Sequence, residues 1–361
     1  MYYKDFITEL PAYKPAKLIR QPSAGLVKLS SNENPLGPSP LALAAMQDAL
    51  AGVHRYPDSG AWGLKQKLAE HYGLEREMVT CSNGSDELVF LLCLAFLREG
   101  DEVVMAEGTF ISYLLRTLEM GGQAVQVPLR NYTHDLEAMA AAITPRTRLL
   151  FLCNPNNPTG TTNTAAEVAQ LLKQVPEEVL IVADEAYIEF VEHTAEYPDL
   201  LSELRRGRPN LILLRTFAKI YGLAGLRLGY AFGPVELITY LERSRPTFNV
   251  NTLAQTAGIA ALDDTAHLER SREYSRRSRI WLSQELEALG LEVVPGDTNF
   301  LAVKVRDDVA LAAELLEKGF MIMSLTGWGL PGLIRISFGM EDEHTRFIEA
   351  LSSILKPLSC R

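Results

Sequence analysis

Cysteine is scarce in this chain: the 361 residues contain four, and Cys81, Cys93, Cys153 and Cys360 form no CxxC pair. That excludes a disulfide-stapled scaffold, and three of the four lie in or beside apolar segments, as expected for reduced, buried thiols in a cytoplasmic protein. Histidine is also sparse, with six scattered residues and no HExxH, so no metal site is expected. Long apolar runs are missing. The longest that resembles a span, 88–97, covers ten residues and ends in Arg98-Glu99, too short to cross a bilayer. No apolar stretch with a small-residue cleavage site follows Met1-Tyr2-Tyr3-Lys4-Asp5, so no secretory leader is expected. A basic excess is absent as well. The 35 Lys and Arg against 45 Asp and Glu leave a net charge of −10, which argues against a nucleic-acid or anionic-membrane surface but leaves room for a local basic pocket. Neither GxxxxGK[ST] nor an early GxGxxG occurs, which removes most of the case for a nucleotide enzyme, and no internal repeat is visible.

What is present is globular: 47% apolar and 22% charged residues, in a length that at about 150 residues per domain predicts two domains. Residues 1–40 have neither helical nor strand period and read as an arm. Helical patterns follow at 40–51, 60–71 and 85–97. Strand-like runs then recur at 103–106, 124–127, 148–153, 179–183, 211–215 and 227–232, several separated by helical stretches such as 134–142 and 164–174. The latter opens on a capping box, Thr164 with Glu167. This alternation predicts an α/β unit with a mostly parallel central sheet sandwiched by helices. After Pro234 the sequence is rich in helix to about 289, and a smaller α/β unit follows: strand 299–305, helix 307–318, strand 333–338 and helix 341–356. The expected division is an arm at 1–40, a large domain at 41–245 and a small domain at 246–361, joined by a long helix that could belong to both.

The chemistry collects on loops after the strands. Ligands of open α/β sheets sit beyond the carboxyl ends of their strands, which is where Asp184 lies after 179–183. Lys219 follows a buried-looking strand in Arg215-Thr216-Phe217-Ala218-Lys219 and precedes the glycine-rich Gly222 to Gly229. In such a partly dry place an amine loses its proton more readily and can attack a carbonyl. Thr216 and Arg227 flank it as candidate phosphate ligands. The turn Ser82-Asn83-Gly84-Ser85-Asp86 precedes a helix, whose free amides attract an anion. Cys153-Asn154-Pro155-Asn156-Asn157-Pro158 fixes a tight loop from which Asn157 can aim an amide into the crevice. Each feature alone also fits a cap, a turn or a solvent-facing lysine. Together they supply a nucleophilic amine, a carboxylate for a heterocyclic nitrogen and phosphate-binding groups, the set that pyridoxal phosphate requires. Arg335 stands out separately, because Leu333-Ile334-Arg335-Ile336 places one guanidinium in an isoleucine-rich strand, where it must be paired or face a wet cleft.

Over essentially its whole length the sequence resembles the fold-type I pyridoxal-phosphate aminotransferases, and within them the histidinol-phosphate aminotransferase family. The resemblance rests on these loops, on Leu29-Ser30-Ser31-Asn32-Glu33-Asn34-Pro35-Leu36-Gly37, on Arg55-Tyr56-Pro57-Asp58 and on Arg335-Ile336-Ser337-Phe338-Gly339. It implies that Lys219 holds the cofactor covalently and acts as acid and base, that Asp184 keeps the pyridine nitrogen protonated, and that Asn157 and Tyr187 bond its phenolic oxygen. It also implies that Phe110 stacks on the ring, and that Ser85, Asp86, Thr216, Arg227 and Tyr56 of a neighbouring subunit meet the phosphate. Arg335, with Asn32 and Asn34, would engage the substrate anion, and Tyr13 of the arm would cover it. The implied activity is ping-pong transamination between histidinol phosphate and 2-oxoglutarate by a homodimer with shared active sites. Aromatic amino-acid transamination, threonine-phosphate decarboxylation and a non-catalytic regulatory role are the alternatives. One departure concerns the cofactor: Ala218 stands where the family usually has Ser, which predicts weaker cofactor retention. Another concerns the arm, in which Ala16 replaces a common Gly.

Overall fold

The structure is a computed structural model that describes residues 4–8, 10 and 25–355. Thirteen strands occur among these residues: β1 (Val27–Lys28), β2 (Val79–Ser82), β3 (Glu102–Ala106), β4 (Gln123–Val127), β5 (Thr147–Cys153), β6 (Leu180–Asp184), β7 (Leu211–Thr216), β8 (Gly229–Phe232), β9 (Glu292–Val294), β10 (Phe300–Lys304), β11 (Phe320–Met321), β12 (Met323–Ser324) and β13 (Leu333–Ser337). Seven of them form one sheet in the order β2-β8-β7-β6-β5-β3-β4. β7, β6, β5, β3 and β4 run parallel, while β8 is antiparallel to both of its neighbours, β7 and β2. The expected α/β class is therefore observed.

The parallel strands read as unbroken apolar runs because helices cover both faces. Every residue of β6 and β7 is buried, and β5 is buried throughout apart from half-buried Arg148. Their carboxyl ends lie side by side, with Cys153 paired in register to Asp184 and Asp184 to Leu214. Helix Ser85–Phe96 packs Leu88, Val89, Leu91 and Leu92 into the core that contains Val103, Leu149 and Ile212. Its own start is thereby fixed beside the ends of the strands.

The smaller unit is the antiparallel sheet β12-β13-β10-β9, backed by helices Asp308–Glu317 and Glu341–Leu355 around Leu301, Val303, Leu315, Ile334, Ile336 and Phe347. Helix Thr252–Asp263 does not belong to it. Ala254, Ala257 and Ala261 pack with Leu64, Phe217 and Leu228 in the large core, whereas Leu282 and Leu286 of helix Thr265–Ala288 enter the small one. We therefore place the division inside that long helix, later than the expected boundary at 245/246.

The described part of the arm is a strap across both units. β1 pairs in parallel with β11, and the Ser337 amide donates to the Leu29 carbonyl at 2.9 Å. Further along, Ser39 Oγ donates to Asp264 Oδ2 at 2.7 Å. Cys81, Cys93 and Cys153 are free and buried, and burial pushes each thiol up to about 12, so all three are protonated and unreactive. Cys360 lies outside the described residues. Among those residues no helix is long and apolar enough to cross a membrane, and no cluster of side chains could hold a metal ion.

Candidate active site

One cavity at the carboxyl ends of β5, β6 and β7 is bordered by Ser85, Asp86, Phe110, Asn157, Asp184, Tyr187, Thr216, Lys219 and Arg227. These residues come from five separate stretches of sequence, brought together by the crossover order of the sheet. Lys219 sits in the turn between β7 and β8, its Nζ donating to the Ser31 carbonyl of the strap at 3.3 Å and lying 5.5 Å from the Tyr187 ring centroid. Burial, reinforced by the Arg335 and Arg227 guanidinium groups and opposed by Glu33 and Asp184, pulls its amine down to about 7. A large share of the amine is therefore neutral, and nucleophilic, near neutral pH.

Asp184 closes β6 and is 4% exposed. Its Oδ1 accepts the Ala186 amide at 3.1 Å and its Oδ2 accepts the Tyr113 hydroxyl at 2.7 Å. Burial raises its pKa, against the pull of Tyr113, the Ala186 amide and Lys219. Tyr187 is buried too, and its hydroxyl accepts from Asn32 Nδ2 at 2.9 Å.

The far end of the cavity is built by two glycines. A Cβ on Gly229 would lie 2.3 Å from the Ser85 nitrogen, and one on Gly84, at φ +87°, would lie 2.6 Å from Arg227 Nη2. Only glycine at both places lets the start of helix Ser85–Phe96 close against β8 and Arg227. That helix start and an Arg227 that pairs with no carboxylate among the described residues form an anion cradle, with the Thr216 hydroxyl accepting the Ala218 amide at 3.0 Å beside it. The Asp86 carboxylate is spent elsewhere, on Ser112 and on Arg116 at 2.7 Å, so its contribution to an anion is its backbone amide.

Arg335, at the centre of β13, stands behind Asn157 of the cavity wall and is not itself among the residues that border the cavity. It is 3% exposed, donating from Nη1 to Asn157 Oδ1 and from Nη2 to the Ser30 carbonyl, both at 2.6 Å, while Nε has no partner. Its guanidinium lies 5.4 Å from the Phe300 ring and 5.5 Å from Trp328. No carboxylate among the described residues pairs with it, and burial lowers its pKa. A buried cation with a free donor and no counter-charge is a site prepared for an anion.

Not every expected residue reaches the cavity. Asn34 does not: its Nδ2 donates to the Ile220 carbonyl at 2.8 Å and to Ser271 Oγ at 2.9 Å, while its Oδ1 accepts the Leu36 amide, so the side chain is a strap anchor. Asn32, at φ 54° and 1% exposed, is spent on Tyr187 and on Ser337 Oγ, which donates to its Oδ1 at 2.7 Å. It orients Tyr187 and is itself sealed from the substrate. Tyr56 is 82% exposed and lies outside the cavity of its own chain, stacked on Phe248 at 4.6 Å. Tyr13 lies outside the described residues. The sequence reading missed Tyr113, Trp328 and the strap carbonyls of Ser30 and Ser31. Only Tyr113 left a trace, as an aromatic one helical turn beyond Phe110.

Pyridoxal phosphate fits this cavity by its chemistry. The glycine-built cradle would take a phosphate, Asp184 would have lone pairs for a ring nitrogen, Phe110 a ring face, Asn157 an unused amide for a phenolic oxygen, and Lys219 the amine. A hydroxyl restored at position 218, half-buried on the cavity wall, adds one donor to the phosphate end. Ala218→Ser is expected to tighten binding of pyridoxal phosphate to the apoprotein by about 1 kcal/mol, roughly fivefold. Fluorescence titration measures it, and equal affinities would count against that role of position 218.

The fold and this site define a pyridoxal-phosphate-type aminotransferase architecture, and the chain belongs to the family aminotransferase class I and II, whose profile matches residues 24–351. Its relatives are more particular. A histidinol-phosphate aminotransferase of Moorella thermoacetica is 46% identical over 359 residues, covering 98% of this chain and 92% of that protein. Histidinol-phosphate aminotransferase 2 of Ralstonia nicotianae is 44% identical, covering 97% and 94%. Among solved structures, histidinol-phosphate aminotransferase from Sinorhizobium meliloti in complex with pyridoxal-5'-phosphate superposes with a TM-score of 0.89 at 29% identity, over 99% of this chain and 98% of that one.

Proposed function

We propose that the chain is a histidinol-phosphate aminotransferase, moving an amino group between histidinol phosphate and 2-oxoglutarate with pyridoxal phosphate as cofactor. The observation that carries this reading is a depressed amine, Lys219, on the cavity wall, together with a cation without a counter-charge, Arg335, bonded to Asn157 of that wall and near enough to lower the amine. The relatives named above point the anion site toward a phosphate. The bound cofactor supplies an electron sink for the carbanion formed at the substrate Cα. Lys219 Nζ, in its neutral form, would take the Cα proton and deliver it to C4′ of the cofactor. Asp184 would meet the ring nitrogen with a negative charge, Asn157 and Tyr187 would hold the ring, and the Gly84–Ser85 turn would hold the phosphate. Arg335 binds the substrate phosphate in one half-reaction and a carboxylate of the keto acid in the other. Sequestration under the strap keeps bulk water from the exchanged proton.

Aromatic amino acids are the second reading, favoured by Trp328, which lies 5.5 Å from the guanidinium, and by Phe110, whose ring is 6.4 Å from that of Trp328. A half-reaction screen decides. Holoenzyme mixed with histidinol phosphate, phenylalanine, tyrosine or phosphothreonine is expected to convert the first with the highest kcat/KM, read from the visible absorbance of the cofactor. Preference for phenylalanine or tyrosine overturns the assignment, and carbon dioxide release from phosphothreonine replaces it with a decarboxylase.

The protein works in the cytoplasm in this reading, which the buried, protonated thiols support. It works as a homodimer with shared sites. Support comes from exposed Leu41, Leu43, Leu50, Val53 and Trp62 on the same unit as the outward-facing Tyr56. Refolding Tyr56→Ala chains together with Lys219→Ala chains is expected to restore activity, because each hybrid holds one intact site. A monomer in sedimentation, or no recovery, contradicts it.

A further inference from the structure

Asp184 has to remain charged in a place where burial favours its neutral form, and the structure shows what opposes that. The Tyr113 hydroxyl donates to Asp184 Oδ2 at 2.7 Å. Tyr113 is fully buried, stacked on Phe151 at 4.3 Å and 5°, and edge-on to Phe110 at 5.5 Å and 84°. Its backbone amide donates to the Phe110 carbonyl at 3.1 Å, so the hydroxyl on the carboxylate and the phenyl on the cavity wall are carried by one turn of chain. A phenol has one proton to donate; here it goes to Asp184 Oδ2, a far stronger acceptor than the neutral Cys153 thiol that also lies beside the hydroxyl.

We infer that Tyr113 is a positioning residue that keeps the Asp184 carboxylate ionised and aimed at the cofactor's ring nitrogen. The inference rests on the reading of Asp184 given above. The groups that face this carboxylate are Tyr113 from helix Ser112–Glu119, the Ala186 amide from the turn after β6, Cys153 from β5, Lys219 from the β7–β8 turn and Asp86 from helix Ser85–Phe96. Cys153 is a neutral thiol, Asp86 is an anion that raises the carboxylate, and the Lys219 cation is lost on covalent attachment. That leaves the Ala186 amide and the Tyr113 hydroxyl as the permanent donors. Burial and the Asp184 charge raise the phenol well above its ordinary value, so Tyr113 never surrenders the proton it donates.

Without that donor the carboxylate becomes more basic. The proton shared between ring nitrogen and Asp184 then moves from nitrogen to Oδ2, leaving a neutral pyridine, a weaker electron sink, beside a neutral acid. Tyr113→Phe keeps both ring contacts and removes only the hydroxyl. Reconstituted with ¹⁵N-labelled pyridoxal phosphate, it is expected to shift the ring-nitrogen resonance toward the unprotonated position, to bind the cofactor roughly tenfold more weakly, and to lower kcat with little change in KM. 3-Fluorotyrosine at position 113, a stronger donor that keeps the fold, is expected to move the resonance the other way. If both variants show the native resonance and the native affinity, Tyr113 only fills space and the inference fails. Asp184→Asn separates the underlying reading: a native resonance there would remove Asp184 from the nitrogen altogether.

Discussion

Lys219→Ala, supplied with pyridoxal phosphate, is expected to lose the visible band of the lysine-bound cofactor and at least about 10⁴-fold in turnover, because covalent attachment and proton transfer at Cα disappear together. The pH dependence of attachment is the sharper measurement. An ordinary lysine is protonated until pH 10, so its rate of attack on an aldehyde keeps rising tenfold per unit across the whole neutral range. Here burial and the two guanidinium groups favour the neutral amine and bring the midpoint to about 7. Attachment to the apoprotein is therefore expected to climb below pH 7 and level off above about 8. Stopped-flow mixing at a series of pH values shows which curve applies. A rate still climbing at pH 9 means that the amine is solvated and that the closed strap, with Ser31 against Nζ, is not its resting environment. Borohydride reduction must also fix the cofactor to position 219.

How far such a site can be read before folding depends on whether its signal is local. The parallel strands were legible because burial on both faces leaves continuous apolar runs: 148–153, 179–183 and 211–215 match β5, β6 and β7 to within one residue. β2 was not expected, because four residues with Thr80 and Ser82 among them carry no such run, although all four are buried. β1 and β11 are two residues each and exist only as each other's partner, at a separation of nearly the whole chain. The same rule divides the site residues. Lys219, Asp184, Asn157 and Arg227 stand at strand ends or glycine turns and reach one cavity. Asn32 and Asn34 occupy one short motif, yet one bonds Tyr187 and the other bonds Ile220 and Ser271, a division that only the tertiary path of the strap creates. Tyr113 reads as one more apolar residue of a helix. Its use of a single hydroxyl on Asp184 is visible only when β6 and that helix lie side by side.

Replacing Arg335 should separate substrate binding from stability in opposite directions. Two of its donors are satisfied by Asn157 and Ser30, the third has none, and no carboxylate offsets the charge, so in the free enzyme a guanidinium is held out of water uncompensated. A substrate phosphate or carboxylate supplies what is missing, in a cleft where a desolvated charge pair is worth about 2–5 kcal/mol. Arg335→Met fills a similar volume between Phe300 and Trp328 without the charge. It is expected to raise KM for both histidinol phosphate and 2-oxoglutarate and to cut kcat/KM by about 10²–10³-fold, with the cofactor spectrum native. At the same time its thermal midpoint should equal or exceed that of the native protein, since the desolvation cost of the charge is removed. A joint between strap and small unit would behave oppositely: the midpoint would drop, cofactor would be lost, and KM would hardly move. Scanning calorimetry beside steady-state kinetics on the one variant distinguishes them. The substrate pair adds a further constraint, because histidinol phosphate has no carboxylate and 2-oxoglutarate has no phosphate. Equal losses for both would show that a single guanidinium serves two anions in turn, whereas loss confined to one would place the other at a different cation.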